Sequence, residues 1–244
     1  NCAIFFDSTS FYIKEKLLEE GIPFVLKDKQ VYLPFIGYLL SNENERKISP
    51  VHLISFLTQK VILVAIYEKW ENVTASKAAI RLGVTKMSAN RCFDEIEYLN
   101  VDILGMKGKS RVITVPADTQ KLWNDVRVIL RNPVIARYEL KEDIQLGKKA
   151  GITALCEYSL LSDNEYPTYA ITKKEITESG IRKMKQVHSG EEIGCVVLEL
   201  GYFIDFKNKK LEDPLSVTLS LAESEKQDER IGISIKRMLE EYVW

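Results

Sequence analysis

At 244 residues with 45% hydrophobic side chains the chain can bury more than one core, and domains of roughly 100–150 residues make two or three the default. Its 34 Lys and Arg against 35 Asp and Glu leave a formal charge of -1, which argues against a protein that coats nucleic acid by bulk charge. The 4 cysteines form no Cys-x-x-Cys pair and the 2 histidines, His52 and His188, stand far apart, so neither structural zinc nor a disulfide framework is expected.

The first segment, residues 1–48, reads as a small α/β element. After Ser8 to Ser10 a helix carries Phe11, Ile13, Leu17 and Leu18, and Gly21 ends it. Pro23 to Leu26 and Gln30 to Leu33, parted by Lys27-Asp28-Lys29, read as a hairpin, and Ser41 to Lys47 reads as a linker. Such a piece is too small to hold much core alone and is expected to pack on its neighbours or pair with a second copy.

Ser49-Pro50 offers a cap followed by a first-turn proline, and the helical reading runs on to Trp70. The apolar run Val51 to Trp70 is interrupted by His52, Gln59, Lys60, Glu68 and Lys69, which makes it a poor membrane span. No secretory signal is read, and a cytoplasmic protein is expected. The start at Asn1 without methionine leaves room for residues upstream, a targeting segment included.

Thr74 to Val115 reads as two short helices, a tight turn and a basic hairpin. Thr74 can cap the first helix and Gly83 can end it in the left-handed conformation; Thr85 can cap the second. Ala89, Cys92, Ile96 and Leu99 recur at steps of three and four and share a buried stripe, which Ala78, Ala79 and Leu82 would face. The opposite side carries Lys86, Met87, Asn90, Arg91 and Asp94.

A recognition helix presents such a face to the major groove, its first turns nearest the bases. The expected DNA-binding residues are Thr85, Lys86, Met87, Ser88, Asn90 and Arg91, with Lys107, Lys109 and Arg111 of the hairpin against the backbone. Arg91 suits guanine and Asn90 adenine, while Lys86 suits phosphate. Seven Lys or Arg against four Asp or Glu from Thr74 to Val115 leave three positive charges, so binding is expected to depend on salt and on dimerisation. The alternative is a fold of this kind used only for protein contacts, its charged face solvated.

Residues 58–115 resemble the winged-helix domain of MarR-type bacterial regulators, above all in Lys-Ala-Ala-Ile-Arg-Leu-Gly-Val-Thr-Lys-Met-Ser-Ala-Asn-Arg. The resemblance implies a bacterial transcription regulator. It also implies dimerisation through a helix after the hairpin, here the one that Asp118 can cap, with Leu122, Val126, Ile129 and Leu130 on one face.

Beyond Arg131-Asn132-Pro133 strands and helices alternate. Val134 to Leu140 reads as a strand, Ala150 to Leu161 as a helix, Tyr166 to Thr172 as a strand and Lys173 to Met184 as a helix. Ile193 to Phe206 is the strongest strand candidate, and Asp228 to Tyr242 a final helix. Leu215, Val217, Leu219 and Leu221 alternate like a strand, whereas Asp213-Pro214 is a fair helix start; both readings stand.

Ala150 to Leu161, with its Gly-x-x-Ala-Leu core, is similar to a helix of AbiEi-type antitoxins, winged-helix proteins that repress their own operon and counter a nucleotidyltransferase-like toxin. That resemblance implies a toxin bound through the carboxy-terminal half. The acidic tail, Leu211 to Trp244, holds eight acidic against four basic residues and suits a protein partner or plain solvation.

Signals for catalysis are sparse. Asp205-Phe206-Lys207 fits the Asp/Glu-x-Lys element of metal-dependent nucleases, yet Glu45-Arg46-Lys47 and Glu139-Leu140-Lys141 repeat the pattern. Gly-x-Ser-x-Gly and Gly-Lys-Ser/Thr do not occur, His188 reads as a loop histidine, and Cys92 as a core residue. Trp123 and Trp244 read as a helix contact and a docked terminus.

The expectation is therefore an α+β chain: a small α/β element over 1–48, a winged helix-turn-helix domain over 49–130, and a separate carboxy-terminal α/β domain over 131–244 that binds a ligand or protein. It is expected to be a DNA-binding repressor without enzymatic activity, cofactor or metal. Its partners would be double-stranded DNA, a second copy, and a protein partner or toxin; an AbiEi-like antitoxin and a protein-interaction scaffold are the alternatives.

Overall fold

The computed structural model describes residues 2–7, 9, 11–27, 30–36, 38–41, 53–162, 166–184, 186–187, 191–207 and 210–244. The expected turn at Asp28-Lys29, most of the linker 41–47, the helix start at Ser49-Pro50, His52 and His188 lie outside the described residues. The chain is mixed α+β and divides into two compact units, Asn1–Ser49 and Pro50–Trp244.

In the first unit, β1 (Ile4–Phe6) leads to α1 (Phe11–Glu19), β2 (Phe24–Leu26), β3 (Gln30–Leu33), a 3-10 turn at Pro34–Ile36 and β4 (Tyr38–Ser41). They form a four-stranded sheet ordered β1-β2-β3-β4, parallel between β1 and β2 and antiparallel thereafter. The β2–β3 hairpin follows the apolar pattern, and β1 and β4 extend it on either side beyond the two strands expected. Gly21, at φ +66, turns the chain from α1 into β2.

In the second unit α2 spans Phe56–Glu68, not the whole of 49–70. Its cap is Ser55, whose side chain accepts from the Thr58 N–H at 3.2 Å, and Leu53 and Ile54 lie outside the helix. α2 is buried from Val61 through Ile66, all round its circumference, as a helix enclosed by others must be. β5 (Val73–Thr74), α3 (Ala75–Leu82), α4 (Lys86–Tyr98), β6 (Leu104–Lys107) and β7 (Ser110–Ile113) follow. The three strands form an antiparallel sheet ordered β5-β7-β6. α5 (Thr119–Val126) is capped by Asp118 and buries Leu122, Trp123 and Val126; Ile129 and Leu130 lie beyond its end.

β8 (Val134–Leu140), β9 (Lys148–Lys149), α6 (Gly151–Tyr158), β10 (Thr168–Ile171), α7 (Lys173–Ser179), a 3-10 turn (Ile181–Lys183) and β11 (Cys195–Leu200) build a second sheet ordered β8-β11-β10-β9. β10 and β11 run parallel; β8 and β9 pair antiparallel with them. β11 is buried along its length, as an internal strand covered on both faces should be. Cys195 and Val197 face one apolar cluster with Ile176 and Ile181, while Val196, Leu198 and Leu200 face another with Ala150 and Ala170. β11 stops at Leu200 rather than continuing to Phe206. Gly201 still donates its N–H to the Pro133 carbonyl at 2.9 Å, and a Cβ there would lie 2.4 Å from the Phe56 ring, so the position is packed closely against α2.

The ambiguous segment is helical: α8 (Pro214–Ser220) has Asp213 as cap and Pro214 in its first turn. α9 (Glu223–Lys226) and α10 (Glu229–Tyr242) close the chain, with Ile231, Met238 and Leu239 buried. In α6, Ala154 and Leu155 of Gly-x-x-Ala-Leu are fully buried, so this motif serves packing. The boundary expected at residue 131 is spanned by core. One apolar cluster joins Val61 and Ile66 of α2 and Phe93 of α4 to Leu155, Leu215 and Met238.

Candidate nucleic-acid interface

The geometry of α3 and α4 follows from local caps. Thr74 accepts from the Lys77 N–H at 3.4 Å, and Gly83 closes α3 at φ 66. Thr85 accepts from the Ser88 N–H at 3.1 Å, and the two hydroxyls lie 2.9 Å apart. α4 then buries Ala89, Cys92, Phe93 and Ile96 against α2 and α3, while Leu99 is half-buried as its carboxy-terminal cap. Burial pushes the Cys92 thiol up to about 11 despite a hydrogen bond with Thr58, which keeps it protonated and unreactive at neutral pH.

The opposite face of α4 presents Lys86, Met87 and Arg91 to solvent, with Asn90 and Ser88 half-buried beside them. Met87 is 66% exposed, and Arg91 Nη2 lies 3.9 Å from its sulfur. In the hairpin Lys107 pairs with Ser110, leaving Gly108 and Lys109 as a two-residue turn with Gly108 at φ +61. Lys107 and Lys109 are exposed at that tip.

Arg111, expected against the DNA backbone, is paired within the fold. Its side chain is only 16% exposed, with Nη2 2.7 Å from Asp94 Oδ1 and Nη1 2.8 Å from Glu97 Oε2. It latches β7 to α4 instead of standing free beside a DNA backbone. Asp94, expected on the open polar face, is consumed by the same latch.

Glu68 and Glu95 are also engaged, while Asp102, beyond the end of α4, is exposed. Glu68 receives Arg81 and, at 2.7 Å, the Trp70 indole N–H. Glu95 accepts the Ser55 N–H at 3.0 Å. Among the described residues, Lys77, Lys86, Arg91, Lys107 and Lys109 form no ion pair, so the local positive excess is carried by these side chains.

Between α2 and the carboxy-terminal elements lies a buried polar junction that no sequence pattern announces. Gln59 Nε2 donates to Tyr202 Oη at 2.9 Å and to the Arg131 carbonyl at 2.9 Å, and Gln59 Oε1 accepts the Arg131 N–H. Tyr67 Oη donates to Asp213 Oδ1 at 2.7 Å and accepts from the Leu215 N–H at 2.8 Å. Next to it, Glu212 Oε2 accepts from the Gly151 N–H at 3.1 Å and the Ser220 hydroxyl at 3.2 Å. Burial raises both carboxyl groups, Glu212 to about 8, and raises the Tyr67 phenol well above its ordinary value. Glu-Asp-Pro signals a helix start; nothing local signals two buried acids.

The nuclease-like pattern gains no support from its surroundings. Asp205 follows the end of β11, is largely exposed, and lies 3.7 Å from Lys148 Nζ. Among the described residues no three His, Cys, Asp or Glu side chains are grouped to hold a metal ion. Likewise among them, no helix is long and apolar enough to cross a membrane. The chain matches no family model, no curated protein and no solved structure.

Proposed function

We propose that α2 to β7 form a winged helix-turn-helix and that the protein is a DNA-binding transcriptional regulator acting as a repressor. The observation that carries this reading is the charge arrangement around α4. Glu68, Asp94, Glu95 and Glu97 are each bonded within the fold, while Lys86 and Arg91 remain exposed at the start of α4 and Lys107 and Lys109 at the hairpin tip. A recognition helix needs its open cations and amides in its first turns, where they meet base edges.

In this reading Lys107 and Lys109 bind phosphates and set position, as Lys86 does at the helix start. Arg91 donates both guanidinium arms to guanine, Asn90 pairs with adenine, and exposed Met87 packs on a thymine methyl group. The carboxy-terminal helices α6, α8 and α10 share the core of α2, so in this reading they hold the DNA-reading elements rather than reading DNA themselves.

The test is binding of the full chain to DNA from upstream of its own gene and to a scrambled duplex, across a salt series, for wild type and Arg91→Ala. Preference for the upstream DNA that weakens with salt and collapses in the variant is expected. Equal weak binding to both duplexes, unaffected by the variant, would overturn the reading and leave α4 as a protein-contact surface.

A further inference from the structure

A cleft of about 420 Å³ opens where the start of β8 meets the amino end of α6 and the carboxy end of α8. Asn132 holds its two walls together: Oδ1 accepts the Val134 N–H at 2.8 Å, and Nδ2 donates to the Ser220 carbonyl at 3.4 Å. Val134, Ile152, Leu198 and Leu221 give the cleft an apolar lining, large enough for a ring or a short aliphatic chain.

The polar lining is unbalanced in favour of donors. Arg137 gives Nε to Glu139 at 3.1 Å, and among the described residues its two Nη groups make no hydrogen bond. Tyr166 and Thr168 add hydroxyl groups, while the Ser220 hydroxyl is already given to Glu212. The one lining carboxylate, Glu225, already accepts the Ala222 N–H at 2.7 Å. Behind the Gly151 and Ser220 edge, Glu212 is 2% exposed, and its Oε1 is buried without a hydrogen-bond partner among the described residues. A space with apolar walls and a guanidinium to spare suits a ligand with an apolar body and a planar acceptor group, because guanidinium bonds a carboxylate through two parallel N–H donors.

We infer that this cleft is a binding site for a small organic carboxylate, with the carboxylate on Arg137 and the apolar body on Val134, Ile152, Leu198 and Leu221. The site adjoins the junction to α2, since Gly151 and Ser220 both donate to Glu212 and its neighbour Asp213 accepts from Tyr67. Binding here does not depend on the proposed DNA reading and is measured without DNA.

The experiment is titration of the isotope-labelled full chain with benzoate, and with benzamide as its uncharged match, followed by amide correlation spectra. Benzoate is expected to shift the Gly151, Thr168 and Leu221 signals saturably, with Arg137→Gln weakening it about tenfold and benzamide binding about tenfold more weakly. Preserved dispersion of the Arg137→Gln spectrum distinguishes lost binding from lost folding. Absence of saturable shifts at those residues, or equal binding of benzamide, or indifference to Arg137→Gln in a folded variant, overturns the inference.

Discussion

Arg111 Nη2 lies 2.7 Å from Asp94 Oδ1, and this ion pair joins the second hairpin strand to the helix whose exposed face the protein would present to DNA. The guanidinium also lies 5.9 Å from the Phe93 ring centre, so its plane covers core as well as pairing with acid. Arg111→Ala is expected to cost about 1 kcal/mol in urea unfolding, since partly exposed pairs are screened by solvent. A double-mutant cycle with Asp94→Ala should return a coupling of about 0.5–1 kcal/mol. Strict additivity of the two variants would mean that the Arg111–Asp94 pair contributes nothing.

The lysines at the hairpin tip should behave differently from Arg91 in DNA binding. Lys107→Ala and Lys109→Ala are each expected to weaken every duplex alike and to flatten the log-log salt slope by about 0.9 for each phosphate left unneutralised. Arg91→Ala should instead cost about 1–3 kcal/mol on the preferred duplex and little on the scrambled one. If the lysine variants changed preference and Arg91→Ala changed only the salt slope, the roles given to helix and hairpin would be reversed.

What is legible in the sequence is local. Thr74, Gly83, Thr85 and Asp118 sit where caps are expected, because a cap is decided within three or four residues of its own position. Partners distant in sequence escape. The sign of Arg111 is plain, but its partners Asp94 and Glu97 belong to another element, so a residue expected on phosphate is a structural tie. Tyr67 and Asp213 meet across most of the chain, as do Gln59 and Tyr202, and periodicity carries no information about such pairs. The apolar run that suggests a strand on to Phe206 does not show that β11 stops at Leu200, where Gly201 meets the Phe56 ring of α2.

That ring makes Gly201 a sensitive position. A Cβ there would stand 2.4–2.5 Å from three atoms of Phe56, whose ring also has the Arg131 guanidinium 3.9 Å from its centre. Gly201→Ala is expected to destabilise by about 1–3 kcal/mol, the usual cost of overpacking. Phe56→Leu combined with Gly201→Ala should recover part of that loss, measured as urea midpoints. A neutral Gly201→Ala would show that Phe56 moves aside freely and that the glycine is not fixed by packing.

The buried acids give stability a pH dependence of defined sign. Burial lifts the Glu212 carboxyl from 4.5 to about 8, opposed by the Gly151 N–H, the Ser220 hydroxyl and Lys148, and assisted by the charge of Asp213. The folded protein therefore holds this proton to higher pH than the unfolded chain. Stability from this group is complete at acid pH, declines as pH rises from 4.5 through about 8, and is level beyond. From Glu212 alone the decline amounts to at most about 5 kcal/mol, and the neighbouring Asp213, which burial lifts in the same direction, adds a decline of its own. Glu212→Gln keeps an acceptor for Gly151 and Ser220 but cannot ionise, so it should gain on wild type progressively across that window and leave only the Asp213 slope. Urea unfolding of both proteins from about pH 5 to about pH 9 measures the difference directly. Parallel curves would show that Glu212 ionises as readily in the fold as outside it, and that the junction between α2 and α8 tolerates its charge.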